Sequence, residues 1–166
     1  MTDPYVLAES ALASFLRTLK DGSGDTFFPA DTERDAGWQV SDDDTVLGLG
    51  GEYFAIYRPG ACPAVPISRG IKDYGWEVLL DLYVRYTYYK ESWDKFKAYR
   101  YAVITLLDTN QSLGGTNGVH GVNFKSDDKP LYFRFNETPE KAKPNFIIQP
   151  TQVVITQRVI YLKGDL

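Results

Sequence analysis

His120 is the only histidine in the chain and Cys62 the only cysteine, which leaves little from which to build a nucleophilic site. A serine or cysteine nucleophile commonly relies on a histidine base. His120 stands in Gly118-Val119-His120-Gly121, a glycine-rich setting poorly suited to holding an imidazole at fixed geometry, and it reads as a solvated loop residue. Cys62 lies between Ala61 and Pro63 with no base beside it. Reactive thiols need an electropositive neighbourhood, so Cys62 reads as a small apolar filler. A single cysteine and a single histidine exclude an intrachain disulfide and a zinc site of the usual Cys/His kind.

Other patterns that resemble sites fail on spacing. The glycines of Leu47–Glu52 (LGLGGE) match neither GxGxxG nor a GK[ST] phosphate loop, and they read as a turn entering a strand. Asp42, Asp43 and Asp44 could ligate calcium, but the glycine and the terminal glutamate of an EF-hand loop are missing. They read as a solvated acidic loop. Trp93, Lys97 and Arg100 fall at i, i+4 and i+7 and could share a nucleic-acid-binding side of a helix. Glu91 and Asp94 interrupt that potential, so the stretch reads as a solvated flank or a protein contact. Paired carboxylates for hydrolysis are a spatial arrangement that no spacing favours here. No metal, cofactor or catalytic residue is expected.

The elements that would position any such residues follow from composition and periodicity. A chain of 166 residues suits one domain burying roughly 70 % of its unfolded surface. Hydrophobic residues at 43 % and charged residues at 24 % are ordinary for a globular protein. Twelve tyrosines and nine phenylalanines suit both sheets and interfaces. No apolar run approaches the roughly 18 residues that span a bilayer, and the N-terminus lacks a signal-peptide pattern. Synthesis in a cytoplasm without an export signal or membrane attachment is the expectation. Residues 21–44 hold eight acids against Arg34, a net of −7, leaving +3 for the rest of a chain whose total is −4. A chain-wide basic footprint for nucleic acid is absent.

Asp3-Pro4 supplies an N-cap and a first-turn proline, and apolar residues at helical spacing predict a helix over 4–20. A long acidic loop covers 21–51. Strands are predicted over 52–58 and 75–86, with 61–70 an irregular connection or an edge. Ser92 can cap a second helix running to about Asp108, whose stripe is Phe96, Tyr99, Val103 and Leu106. A glycine-rich loop covers 110–121. VNFK (122–125) and LYFRF (131–135) read as short strands around a turn, and 151–163 as a closing strand. The order predicts a single α+β domain over 1–166, with a mainly antiparallel four- to five-stranded sheet and two helices packed on one face.

Two helices cover one face of such a sheet, yet both faces carry apolar residues. Trp76, Val78, Leu80, Leu82, Val84 and Tyr86 alternate with Glu77, Leu79, Asp81, Tyr83 and Arg85. The closing strand repeats the pattern, with Val154, Thr156, Arg158, Ile160 and Leu162 on one side. A face built of Leu, Tyr, Ile and Arg has the composition of an interface core. Leu79, Tyr83, Arg85, Arg158, Ile160 and Leu162 are therefore the expected contacts with another subunit.

The layout resembles the tail terminator, or tail-completion, proteins of long, non-contractile-tailed bacteriophages. The likeness rests on the amphipathic N-terminal helix DPYVLAESALASFLRTLK and on a strand running straight into a helix, WEVLLDLYVRYTYYKESWDKFKAYRYAVITLLD. A glycine-rich loop and the strand QVVITQRVIYLK complete it. It lies in element order and size across nearly the whole chain, without a diagnostic motif. It implies a structural virion protein of the neck and tail with no active site. Such a homohexamer forms a ring that caps the tail tube and joins it to the head-completion (connector) protein. DNA passes through without specific binding, and Asp42, Asp43 and Asp44 are candidates for an acidic lumen that repels phosphate. The alternatives are another head–tail connector or minor tail protein, a small hydrolase, or a monomeric binding module.

Overall fold

The computed structural model describes residues 2–20, 23–24, 52–57, 64–86, 88–127, 131–133 and 145–161. Residues 52–57, 85–86, 126–127, 131–133 and 145–146 are described by their backbone alone. Helix α1 (Pro4–Leu16) begins as its sequence dictates: the Asp3 carboxylate accepts the backbone N–H of Tyr5 at 2.9 Å, and Pro4 fills the first turn. It stops four residues short of the predicted end. There Thr18 turns both its N–H and its hydroxyl onto the carbonyl of Phe15, at 3.0 and 2.7 Å. A threonine hydroxyl that binds the backbone locally competes with helix continuation.

Among the described residues six strands follow in the order β1 (Glu52–Tyr57), β2 (Ala64–Ser68), β3 (Ile71–Tyr86), β4 (Val119–Asp127), β5 (Leu131–Phe133) and β6 (Asn145–Ile160). All recorded pairings are antiparallel, and the sheet is four strands wide, β1-β3-β6-β4. The centre is a long ladder from Ile71↔Ile160 to Tyr86↔Asn145. The outer edge of β3 is shared end to end by β2 and β1, and the outer edge of β6 by β4 and β5. The segments VNFK and LYFRF are thus not partners across a turn. Both borrow β6, which runs six residues further toward the N-terminus than the pattern at 151–163 indicates. Pro150 masks that extension in the sequence, because proline cannot donate to a ladder. It is tolerated here because β4 pairs from Thr151 onward and β5 only up to Ile148, so Pro150 falls in the gap between them.

Helix α2 (Tyr89–Thr109) lies against β3, β4 and β6. It starts one turn earlier than Ser92 suggests, with Tyr88 at the N-cap position and no side-chain cap. Ser92 is buried, and its N–H reaches the Tyr88 carbonyl at 2.9 Å. The buried stripe is Phe96, Tyr99, Val103 and Leu107, with Leu106 only partly covered. Both leucines lie on the side of α2 that Val103 marks, with Leu107 in the middle of the buried stripe and Leu106 at its edge, packed against the core but partly open. The glycine-rich turn segment Leu113–Gly118, with positive φ at Gly114, Gly115, Asn117 and Gly118, leads from α2 into β4 and packs against α1.

Both helices and this segment bury one face of the sheet in a single core. Trp76, Val78, Leu80, Leu82 and Val84 of β3 meet Ile147, Val153 and Ile155 of β6 there, beneath Tyr5, Leu12, Leu16, Phe96 and Tyr99. The architecture is α+β, with an antiparallel sheet and two helices on one face. A polar relay enters this core. Trp76 donates its indole N–H to Gln157 Oε1 at 2.8 Å, and Gln157 Nε2 donates to the Asn117 carbonyl at 2.9 Å. Gln157, 1 % exposed, thereby ties β3, β6 and the glycine-rich segment together.

Candidate assembly surface on the outer sheet face

The side chains that alternate away from the helices form the second face. Pairing of β3 with β6 sets its rows: Ile71 beside Ile160, Asp73 beside Arg158, Gly75 beside Thr156, Glu77 beside Val154, Leu79 beside Gln152, Asp81 beside Pro150 and Tyr83 beside Ile148. At one end the row of Asp73 and Arg158 is a built ion pair. Arg158 Nε donates to Asp73 Oδ1 at 2.8 Å and Nη2 donates to Oδ2 at 3.0 Å. His120 Nε2 lies 3.5 Å from the same Oδ2. The fork of Arg158 holds the Asp73 carboxyl below the usual carboxylate range, with His120 a smaller contributor, and Asp73 in turn raises the Arg158 guanidinium. Two rows along, Lys125 Nζ reaches Glu77 Oε1 at 2.6 Å. Between the ionic rows, Gly75, Thr156 and Gly121 lie side by side and form a floor of small residues.

Next to the Asp73 row the surface is aliphatic. Ile160 is 62 % exposed, and Val65, which pairs with Asp73 from β2, is 57 % exposed. Ile67, at the irregularity between Pro66 and Ser68, is 52 % exposed, and Ile71 is half-buried. An apolar centre rimmed by charged groups is the anatomy of a protein contact.

Of the expected contact residues, Ile160 and Arg158 sit at this end of the face. Leu79 is half-buried further along. Tyr83 requires a correction: it is 7 % exposed and donates to Asp81 Oδ2 at 3.4 Å, so the chain itself covers it. The ten residues from Asp73 to Tyr83 span about 33 Å of strand, so the two ends are separate surfaces. The side chain of Arg85, Leu162, and Asp42, Asp43 and Asp44 lie outside the described residues. The sequence pattern misses Asp73, Val65 and His120 as members of this face. Starting β3 at Ile71 rather than at Gly75 would have put Asp73 in phase with Glu77.

His120 also departs from expectation. It lies at the start of β4 beside a carboxylate and not in a loop, with its side chain 45 % exposed. The carboxylate is engaged by Arg158, and among the described residues no hydroxyl or thiol is recorded within hydrogen-bond reach of His120. Among the described residues no group of three His, Cys, Asp or Glu is placed to hold a metal ion, and no helix is long and apolar enough to cross a membrane. On α2 the triad Trp93, Lys97 and Arg100 does not form a shared exposed side. Trp93 packs edge-on against Phe96, Lys97 pairs with Asp94 at 3.2 Å, and Arg100 is partly buried. Comparison of the chain with protein-family models and with curated proteins finds no match.

Proposed function

We propose that this chain is a structural subunit whose copies assemble through the outer sheet face, and that the assembly is the ring of a tail terminator. In that role the ring caps the tail tube of a long-tailed phage, meets the head-completion protein and lets DNA pass. The observation that carries self-assembly is the exposed aliphatic cluster of Ile160, Val65 and Ile67 beside the Arg158–Asp73 pair. The place in the virion rests on the resemblance in element order. A ring of identical subunits joined head to tail needs two different complementary surfaces on each copy, and this cluster supplies one.

The test is light scattering and native mass measurement of the purified chain, alone and with tail tubes that lack their end cap. The expected result is a six-subunit species on tubes, lost in Ile160→Asp while the monomer keeps its melting temperature. A chain that stays monomeric at high concentration and on tubes overturns the proposal. A ring that binds head completion complexes but not tubes places it elsewhere in the neck.

A further inference from the structure

Of the asparagines in the chain, Asn117 alone is followed by glycine. An asparagine in that position is prone to deamidation, because no side chain shields the backbone nitrogen that follows it. The Gly118 nitrogen attacks Asn117 Cγ, the Cγ–Nδ2 bond breaks, and ammonia leaves with the Gly118 amide proton. Water then opens the succinimide ring. Opening at Cγ gives aspartate, and opening at the backbone carbonyl gives isoaspartate, whose main chain runs through the side-chain methylene. Asn117 is exposed, so water reaches it, and conformation decides whether the ring can close.

The folded conformation opposes closure. Asn117 lies in the left-handed region, at φ +55° and ψ +28°, which asparagine tolerates better than most residues. At this ψ the Gly118 nitrogen points away from Cβ of Asn117, whereas a five-membered ring needs the two on the same side. Turning ψ swings the Asn117 carbonyl together with that nitrogen, and the carbonyl accepts Nε2 of the buried Gln157 at 2.9 Å. The side-chain amide is held as well, since Nδ2 donates to the Leu7 carbonyl of α1 at 3.1 Å. Gly118 lies so close to β6 that an added Cβ would be 2.3 Å from the Arg158 carbonyl oxygen. We infer that Asn117-Gly118 is a deamidation site closed by the fold, which reacts only when the Gln157 hydrogen bond breaks and the segment lifts from α1 and β6. Conversion leaves a lasting mark. Either product lacks the donor to Leu7, and isoaspartate also lengthens the main chain at the point where α1 is held.

The experiment incubates the full chain at mildly alkaline pH, in buffer and in urea, and follows residue 117 by peptide mass spectrometry with an isoaspartate assay. Conversion is expected in urea, and at least about tenfold more slowly in buffer, where local opening sets the rate. Gln157→Leu should speed conversion in buffer more than Leu107→Ala, which weakens the core but leaves the relay in place. Each rate is divided by the unfolded fraction taken from that variant's denaturation curve. Equal corrected rates overturn the inference, because global unfolding then controls the reaction. Equal rates in buffer and urea overturn it too, as does an Asn117 that stays intact in urea. Purified converted protein should melt at a lower temperature than the starting chain, and an unchanged melting temperature overturns the loss of the α1 contact.

Discussion

Arg158 grips Asp73 across the central ladder with two parallel hydrogen bonds, at 2.8 and 3.0 Å. Bidentate pairing of this kind adds geometric specificity to charge. With 49 % of the Arg158 side chain and 16 % of the Asp73 side chain exposed, water screens the pair, so it orients the rim of the cluster more than it stabilises the fold. Because its folded-state pKa is lowered, Asp73 contributes stability that is present above its unfolded value and lost as pH falls through the folded one. Urea unfolding of the wild type and Asp73→Asn should therefore differ slightly at neutral pH and converge in acid, below the usual carboxylate range. A difference that grows on acidification contradicts this.

Leu107 is fully buried and Leu106 only partly so. Leu107→Ala should destabilise by about 2–5 kcal/mol, and Leu106→Ala by clearly less. Paired denaturation curves with unchanged slopes decide it; the reverse order would mean that α2 is rotated from the position described.

Tyr83 belongs to the fold. Truncation to alanine removes a large buried ring, at a cost of about 3–5 kcal/mol by analogy with other buried aromatics. The isolated subunit should lose this stability at concentrations where it is monomeric. A folded, unweakened Tyr83→Ala monomer that fails only in assembly would return Tyr83 to the subunit interface.

Gln157 satisfies both the Trp76 indole and the Asn117 carbonyl. Gln157→Leu leaves a buried donor and a carbonyl without that partner, an effect of about 1–3 kcal/mol per group. Tryptophan fluorescence should show an altered Trp76 environment alongside the lowered melting temperature.

Gly118 has φ +76°, and an added Cβ would lie 2.3 Å from the Arg158 carbonyl oxygen. Gly118→Ala should cost at least the roughly 1–3 kcal/mol of a strained left-handed residue. It should also loosen β4 from β6, which faster amide exchange at Val119 and Val122 would reveal. Gly115, also at positive φ but with open space around it, is the control and should cost less.

The sequence by itself determined the local features: the Asp3-Pro4 start of α1, the alternation from Trp76 to Val84, the stripe of α2 up to Val103 and the α+β order. Each is written in the period of one element, which short-range backbone geometry sets. The tertiary structure decided what each element meets. Pro150 stays inside a strand because two different partners stop on either side of it. Tyr83 and Ile160 have the same phase on one sheet face, yet one is covered and the other is open. Alternation specifies a face and not what lies over it. His120 sits in a glycine-rich stretch, and only the register of β4 on β6, with β6 on β3, brings it to Asp73, 47 residues earlier in the chain. Contacts across that separation come from strand pairing, and no local pattern encodes them.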